Sequence, residues 1–252
     1  MAAAHNLGNG ALARLAVLSG LALLTACAPR DVPTGINDPY EARNRSVHEF
    51  NIDRDRATLR PVAMAYGHAV PEPVRNGVGN FASNLSLPGA VVNSLLQLRP
   101  GDAAQNATRF LINSTIGLAG LFDPASPMGA TKVATDFGET LHVWGVGEGA
   151  YVELPLIGPS TERDTLGKLV DIALNPLGSV LSSDERTASL AVGVMARVGD
   201  RYTYSDIVDS LLYESADSYA QARMTYLQNR RYQLGRGAEP EYYDPYEDPY
   251  AQ

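Results

Sequence analysis

Few residues in this 252-residue chain stand at spacings that could run a reaction. Asp136-Phe137-Gly138 has the form of a kinase metal-binding triplet, yet no Gly-rich loop, catalytic loop or paired lysine stands in the required order. Gly145-Val146-Gly147 lacks the third glycine of a dinucleotide turn, and Gly167-Lys168-Leu169 lacks the Ser/Thr of a phosphate-binding loop. No G-x-S-x-G nucleophile elbow occurs. His48, His68 and His142 have no H-E-x-x-H pattern or His–carboxylate pair at ligand spacing, so each reads as a polar surface or core residue. Trp144 reads as core, with His142 beside it. Glu162 and Asp164 read as helix N-terminal charges rather than an acid–base dyad. No catalytic residue, metal or cofactor is expected, and the chain is not read as an enzyme.

One side chain does carry covalent chemistry. Residues 1–14 hold no acid, and Leu15 to Ala26 (LAVLSGLALLTA) form an apolar run. That run is too short for a bilayer-spanning helix of about 20 residues but suits a signal peptide ending in small residues. Leu24-Thr25-Ala26-Cys27 resembles a lipobox, so cleavage between Ala26 and Cys27 and acylation of the Cys27 thiol are expected. Cys27 is the chain's only cysteine, which leaves no intramolecular disulfide and no Cys-rich zinc site. The full chain has 20 basic and 28 acidic residues. Removal of Arg14 with the signal leaves 19 against 28, formally −9, with no electrostatic drive toward nucleic acid or anionic lipid. Membrane contact must come from the lipid anchor and from apolar protein surface. More than one acyl chain makes such an anchor durable. Ala28, rather than an inner-membrane-retaining Asp, points to the outer membrane, with the body facing the periplasm.

The elements that must position the rest read as mostly helical. Residues 27–36 form a tether. Asp38-Pro39-Tyr40-Glu41 reads as an N-cap acid followed by Pro at the first helical position. The helix it opens runs toward Tyr66, with Pro61 kinking or ending it. A loop with Pro71, Pro73, Gly77 and Gly79 then precedes a helix over about Pro88 to Leu98. Asp102 and Gln105 read as the capping box of a helix from about Ala103 to Ile116. Phe110 to Phe122 (FLINSTIGLAGLF) carries no charge over 13 positions, and a turn-rich loop, Asp123 to Gly129, follows it. A short helix over Phe137 to Val143, a flexible loop at Gly145 to Gly149 and an extended piece at Tyr151 to Leu154 come next. Ser160 or Thr161 caps a helix that Asn175-Pro176 ends. Helices are expected over about Thr187 to Val198 and Ser205 to Arg231. The 233–252 tail, Pro-, Tyr- and acid-rich, lacks the aliphatic residues to offset its ordering entropy and reads as disordered. The whole reads as one all-α domain over 37–232.

A resemblance rests on motifs in order along the chain. They begin with Asn37-Asp38-Pro39-Tyr40-Glu41, Asn44-Arg45, Phe50-Asn51 and Arg60-Pro61-Val62-Ala63, then Val70-Pro71 and Pro73-Val74-Arg75-Asn76-Gly77. Asn80-Phe81, Asn84-Leu85, Arg109-Phe110 and Asn113-Ser114-Thr115 continue it, with Gly117, Gly120 and Asp123. Trp144-Gly145-Val146-Gly147, Tyr151-Val152, Leu154-Pro155, Gly158-Pro159-Ser160 and Arg163-Asp164 complete it. This set resembles the MlaA (VacJ) lipoprotein family from about Asn37 to Gly178; beyond Leu181 only helical pattern is visible.

The resemblance implies a ring-like helical domain partly embedded in the periplasmic leaflet of the outer membrane. An amphipathic channel through the ring would pass mislocalised phospholipid from the outer leaflet to an MlaC-like periplasmic lipid carrier, maintaining lipid asymmetry in association with a trimeric porin. The Gly-rich stretch from Ile116 to Gly129 resembles the family's flexible hairpin loop, which implies a channel or gating role for Gly117, Gly120, Phe122, Asp123 and Gly129. For the glycines, close helix packing or turn geometry competes with that role. Asn44, Arg45, Phe50 and Asn51 belong to the family's first-helix motif. Packing is favoured for Phe50 and a polar network for Asn44 and Arg45. Two other readings compete: a non-transporting scaffold bound to porins, which needs only a solid body, and a phospholipase, which needs a Ser or His with an organised base.

Overall fold

A computed structural model describes residues 36–235. The signal segment, the cleavage site at Ala26, Cys27, the tether through residue 35 and the tail from residue 236 lie outside the described residues.

Helix α1 (Glu41–Arg54) begins after a turn at Pro39-Tyr40, and its N-cap is Tyr40, without a side-chain cap. Asp38 therefore does not cap it as the sequence predicts. Its carboxylate instead accepts from Asn44 Nδ2 (2.9 Å), the Tyr219 hydroxyl and the Arg223 guanidinium. Charge-assisted partners outcompete an orphan helical N–H. A π-turn at Asp55–Leu59 follows, and the Arg60 N–H reaches back to the Asp55 carbonyl. The wider turn sits just before Pro61, which has no N–H to give, and the chain continues as α2 (Arg60–Ala69).

Helix α3 (Glu72–Leu96) is a single 25-residue rod where the sequence predicts a loop and a shorter helix. Pro73 lies in its first turn, where a missing N–H costs nothing. Pro88 sits inside, and the helix continues through it. Helix α4 (Pro100–Thr115) starts on Arg99 with no side-chain cap, so the expected Asp102/Gln105 capping box is absent. Pro100 supplies the first helical position, and Gln105 donates to the Thr131 carbonyl instead.

Helix α5 (Phe137–Val143) and strand β1 (Tyr151–Leu154) fall where expected. Strand β2 (Gly158–Thr161) was not foreseen; it pairs antiparallel with β1, Tyr151 opposite Thr161 and Leu154 opposite Gly158. Thr161 then caps α6 (Glu162–Leu174), accepting from the Asp164 N–H. The short α7 (Leu177–Val180) leads to α8 (Ser183–Thr203), longer than expected because Ser182 and Glu185 form a capping box. The last helical stretch is divided: α9 (Ser205–Asp209), a π-turn at Ser210–Glu214, an extended Ser215, then α10 (Ser218–Leu234) capped by Asp217.

These elements close into a circuit, α1 to α2, α8, α3, α5, α6, β2, β1 and back to α1, with α10 against β2. Much of what the domain buries is polar. Among the described residues the buried hydrophobics are six alanines, a small cluster of Tyr151, Tyr219 and Leu227, and the separate Leu87, Phe137, Leu141 and Val198, whereas nineteen polar or charged residues are buried. Thirty large apolar residues among those described are exposed, Leu98 at 88% among them. No described helix is long and apolar enough to cross a membrane.

Buried arginines hold the circuit. Arg230 Nε donates to Asp164 (2.9 Å) and its Nη atoms to Asp136 (2.9 and 2.7 Å), tying α10 to α5 and α6. Burial opposes charge on Asp164, but Arg230 and Tyr226 outweigh it and hold its carboxyl below the ordinary range. Arg201 on α8 makes a two-pronged pair with Asp55 (2.9 and 2.8 Å) at the first π-turn, and Tyr213 of the second π-turn donates to the same carboxylate. Gly138 and Gly167 let α5 and α6 touch: a Cβ on Gly167 would lie 2.4 Å from the Gly138 nitrogen.

Arg230→Leu should destabilise the domain by about 3–5 kcal/mol, because two carboxylates lose their buried partner. Chemical denaturation in detergent checks this, and a second change, Asp164→Asn, should recover part of the loss. In the native protein Asp164's contribution is complete above about pH 4 and is lost as pH falls through its lowered folded value.

Candidate functional site

The segment from Ile116 to Asp136 joins α4 to α5 as a hairpin with an apolar tip and a polar base. Helix α4 stops at Thr115, so the uncharged Phe110–Phe122 run is part helix and part turn. Phe122 N–H bonds the Gly117 carbonyl (2.9 Å) and Ala119 N–H the Ser114 carbonyl (3.1 Å), closing a tight reversal. Leu118 and Ala119 take positive φ values of 51° and 59° within it, a conformation that costs any residue with a Cβ energy. The reversal turns Leu118 (62% exposed) and Phe122 (60%) outward, with Ile116 and Met128 also exposed.

The hairpin glycines fill distinct roles. A Cβ on Gly117 would meet the carbonyl oxygens of Asn113 and Phe122 at 2.5 Å. Gly120 combines φ +96° with the Asn84 side chain 2.6 Å from where a Cβ would stand. Gly129 (φ +90°) has open space around it and is needed only for its turn.

Side-chain amides and one arginine clamp the hairpin. Asn106, fully buried, donates to the Val133 carbonyl (2.9 Å) and accepts from the Val133 N–H (3.1 Å). Asn113 donates to Asp123 (3.0 Å) and accepts from the Ala125 N–H (3.1 Å). Arg109 reaches Asp123, Ser126 Oγ (2.8 Å) and the Ala130 carbonyl (2.7 Å). From α3, Asn84 donates to Ser114 Oγ (3.0 Å) and Asn80 to the Leu121 carbonyl (3.3 Å). Asp123 is thus the hub of the hairpin's base. Burial opposes its charge, but Ser126, Asn113 and Arg109 hold its carboxyl below the ordinary value.

The first-helix motif serves a different place. Asn44 bridges the β1 backbone, donating to the Tyr151 carbonyl (3.1 Å) and accepting from the Glu153 N–H (3.0 Å). Asn51, seven residues on, does the same one step along, with the Leu154 carbonyl (3.0 Å) and the Leu156 N–H (2.7 Å). Arg45 makes a two-pronged pair with Asp217 (3.0 and 2.9 Å) and lies over the Tyr219 ring. These hydrogen bonds, with that of the Ala220 N–H, hold the Asp217 carboxyl near about 2. The polar network expected for Asn44 and Arg45 is therefore present, but it secures β1 and α10 and does not reach the hairpin. Phe50 is not packed inside: it is 40% exposed, with the Arg54 guanidinium over its ring. Trp144 likewise leaves the core, at 47% exposed, its Nε1–H on the Leu96 carbonyl (3.1 Å) and its ring edge-on to Phe137.

Behind the hairpin's returning arm lies a cleft of about 500 Å³, where the start of α4, residues 132–136, α5 and the end of α10 converge. Arg99, Asp102, Lys132, Asp136, Glu139 and Arg230 face it. Arg99 is paired with Glu139 (2.6 Å) and Arg230 with Asp136.

One constellation has the look of catalytic machinery. Lys168 Nζ and Thr165 Oγ1 stand 2.8 and 3.0 Å from Ser160 Oγ, and burial pulls the Lys168 ammonium below its ordinary value. Ser160 itself has no exposed surface, so no substrate carbonyl reaches its hydroxyl. His48 is buried with Nδ1 3.3 Å from Glu153 and Nε2 3.1 Å from Ser218, also away from solvent. No group of His, Cys, Asp and Glu among the described residues could hold a metal.

Sequence reasoning missed the cleft and the amide clamps. A signal for the latter was present: Asn106, Arg109 and Asn113 repeat at helical spacing, and so do Asn80 and Asn84. Polar residues on one helical face ordinarily mean solvent. Here they mark the buried side, while Leu111 on α4 and Ile116 just past its end point out.

The chain is thus a mostly helical body with many exposed aliphatic residues, many buried polar ones and a clamped hairpin with an apolar tip. The family model described as MlaA lipoprotein matches residues 36–233, and the chain belongs to that family. The match takes in α8 to α10, where the motifs themselves fade. The intermembrane phospholipid transport system lipoproteins MlaA of Shigella flexneri and Escherichia coli K12 are 37% and 36% identical to it. Each comparison covers 95% of this chain and 94% of the relative. The Haemophilus influenzae protein of the same name is 32% identical, over 88% of this chain and 90% of its own. A solved structure concerned with the structural basis for maintenance of bacterial outer membrane lipid asymmetry superposes with a TM-score of 0.67 and 34% identity. It covers 78% of this chain and 98% of its own.

Asn113→Ala should release the hairpin without unfolding the domain, because it strips the anchors of Asp123 and Ala125. A cost of about 1–3 kcal/mol is expected for the unsatisfied partners. Amide hydrogen exchange should quicken by about tenfold or more over residues 116–130 and stay unchanged in α6 and α8.

Proposed function

We propose that this protein withdraws mislocalised phospholipid from the outer leaflet of the outer membrane and delivers it toward the periplasm, maintaining lipid asymmetry. The inverted distribution of side chains carries this reading: aliphatic residues outside and amides, arginines and carboxylates within. A protein that moves lipid must offer the charged head a polar route, since an unsolvated charge in hydrocarbon is costly. It must also sit among acyl chains, which the exposed leucines and isoleucines of α4, α6 and the hairpin suit. The names of the relatives agree with this reading.

In the mechanism, the domain lies in the periplasmic leaflet, held there by its apolar belt and by lipid on Cys27 after cleavage behind Ala26. The head passes along the polar interior, and the hairpin carrying Gly117, Gly120, Phe122, Asp123 and Gly129 controls entry. A periplasmic lipid carrier receives the lipid, and a trimeric porin holds the domain in place. The scaffold alternative accounts for the apolar belt but gives no role to the polar interior. The phospholipase alternative has only the sealed Ser160–Lys168 pair.

Deleting the gene should raise outer-leaflet phospholipid, read by labelling of surface-exposed headgroups in intact cells. Wild-type protein should restore the low level. Gly120→Pro, expressed equally, should fail to do so, because the hairpin cannot keep its reversal. Intact asymmetry in the deletion strain would overturn the transport reading. Cys27→Ala should lose outer-membrane retention on fractionation.

A further inference from the structure

Arg163, the second residue of α6, is the least satisfied of the buried arginines. Its side chain is 2% exposed, yet Nη2 has no hydrogen-bond partner among the described residues. Nε and Nη1 have only long contacts, 3.5 Å to Asp164 Oδ1 and 3.5 Å to the Val146 carbonyl. Asp164 is meanwhile held more closely by Arg230 (2.9 and 3.0 Å) and Tyr226 (2.6 Å). Neighbouring carboxylates are committed elsewhere: Glu148 to Arg231 (3.0 and 2.8 Å) and Glu162 to the Ala150 N–H (3.0 Å). A guanidinium sheltered from water in this way is costly, because its donors outnumber the oxygens in reach.

The 145–149 loop borders this guanidinium. Arg163 meets it twice, by its side chain at the Val146 carbonyl and by its own N–H at the Glu148 carbonyl (3.4 Å). Both contacts are long. The loop's shorter bonds hold its ends, from the Val146 N–H to the Leu141 carbonyl (2.9 Å) and from Asn37 Nδ2 to the Gly149 carbonyl (3.1 Å). Between them stands only the Glu148–Arg231 pair, whose side chains are 22% and 46% exposed. Gly147 has no atom within 4 Å of where a Cβ would stand, so nothing packs the middle of the loop down. A planar guanidinium with free N–H groups matches the oxygens of a phosphate, which offers more of them than the one Asp164 spares. We propose that Arg163 is a binding site for a phosphate group, covered by the 145–149 loop and reached when the Glu148–Arg231 pair lets go. Free phosphate and a phosphodiester headgroup present the same oxygens. The site stands apart from the hairpin and does not depend on the transport reading.

Calorimetric titration of the full lipoprotein in detergent tests it, with inorganic phosphate, short-chain phosphatidylglycerol and acetate as probes. Wild type should bind a phosphate probe, and Arg163→Gln should bind it about tenfold more weakly or worse. Glu148→Gln, which frees the loop from Arg231 at the surface, should bind about threefold tighter, since more of the protein is open. The His142 imidazole is a local reporter: burial, then Arg163 and Arg230, hold it below its ordinary value against Glu139 and Asp164. A phosphate on Arg163 should therefore raise the His142 midpoint in an NMR titration, and should leave it unmoved in Arg163→Gln. The thermal midpoint of Arg163→Gln should stay within a few degrees of wild type, because no close contact is lost.

Tighter binding of inorganic phosphate marks a free-anion site and tighter binding of phosphatidylglycerol a headgroup site; either supports the assignment. Acetate binding as tightly as the phosphate probes, or no binding by wild type and Glu148→Gln alike, would overturn it. So would an affinity that Arg163→Gln leaves unchanged. A fall of more than about ten degrees in the Arg163→Gln midpoint would make the residue structural and sink the proposal as well.

Discussion

Asn106 gives and takes one hydrogen bond with the backbone of Val133, so one buried side chain supplies what a neighbouring strand would. Asn44 and Asn51 do the same for β1. This substitution is the constraint from which the rest follows. A domain whose large apolar residues face outward cannot secure its loops by burying them in oil. It secures them by pairing most of the polar groups it shelters from water, since a sheltered and unmatched group costs about 1–3 kcal/mol; Asn84 Oδ1 and Arg109 Nε are among the few left without a partner. Amides suit the task because each carries both a donor and an acceptor. The irregular segments here are hydrogen-bonded where they are polar, and exposed where they are apolar.

Arginine does over long range what asparagine does locally. Arg201, Arg223 and Arg230 lie in the last third of the chain and find their carboxylates near its beginning or middle, at Asp55, Asp38, Asp136 and Asp164. The planar guanidinium meets two oxygens at once, which fixes the angle between helices as well as their distance. The two π-turns take part in this: Asp55 opens the first, Tyr213 sits in the second, and Arg201 holds Asp55 between them. The distortion beside Pro61 thus becomes the place where two halves of the circuit are joined.

Local chemistry made part of this legible in the sequence. Helix α5, strand β1, the Thr161 cap and the break at Asn175-Pro176 are set by neighbours in the chain, and they stand where the residues indicated. The departures share one cause. Pro73, Gly77 and Pro88 argue locally against α3, yet the packing of α4 and α8 along it supports a continuous rod. Asp38 argues for a cap, but its stronger partners lie 181 and 185 residues away. Strand β2 has Gly-Pro in its sequence and is a strand only because β1 lies beside it. Phe50 and Trp144 read as inward on the rule that aromatics are buried, a rule that Phe137, Tyr151 and Tyr219 follow and these two do not. The hairpin residues were legible as a unit; the cleft behind them was not, because Asp102, Lys132 and Arg230 meet only after α10 has returned.

The bonds that join the two ends have a consequence in time. Asp38 waits for Arg223, and Arg45 for Asp217, so α1 has no lasting partner there until nearly the whole domain has been made. Contacts of such separation form late and slowly, since the intervening loop must first be closed. The start of the first helix is therefore among the last places to be tied to the C-terminal end of the domain.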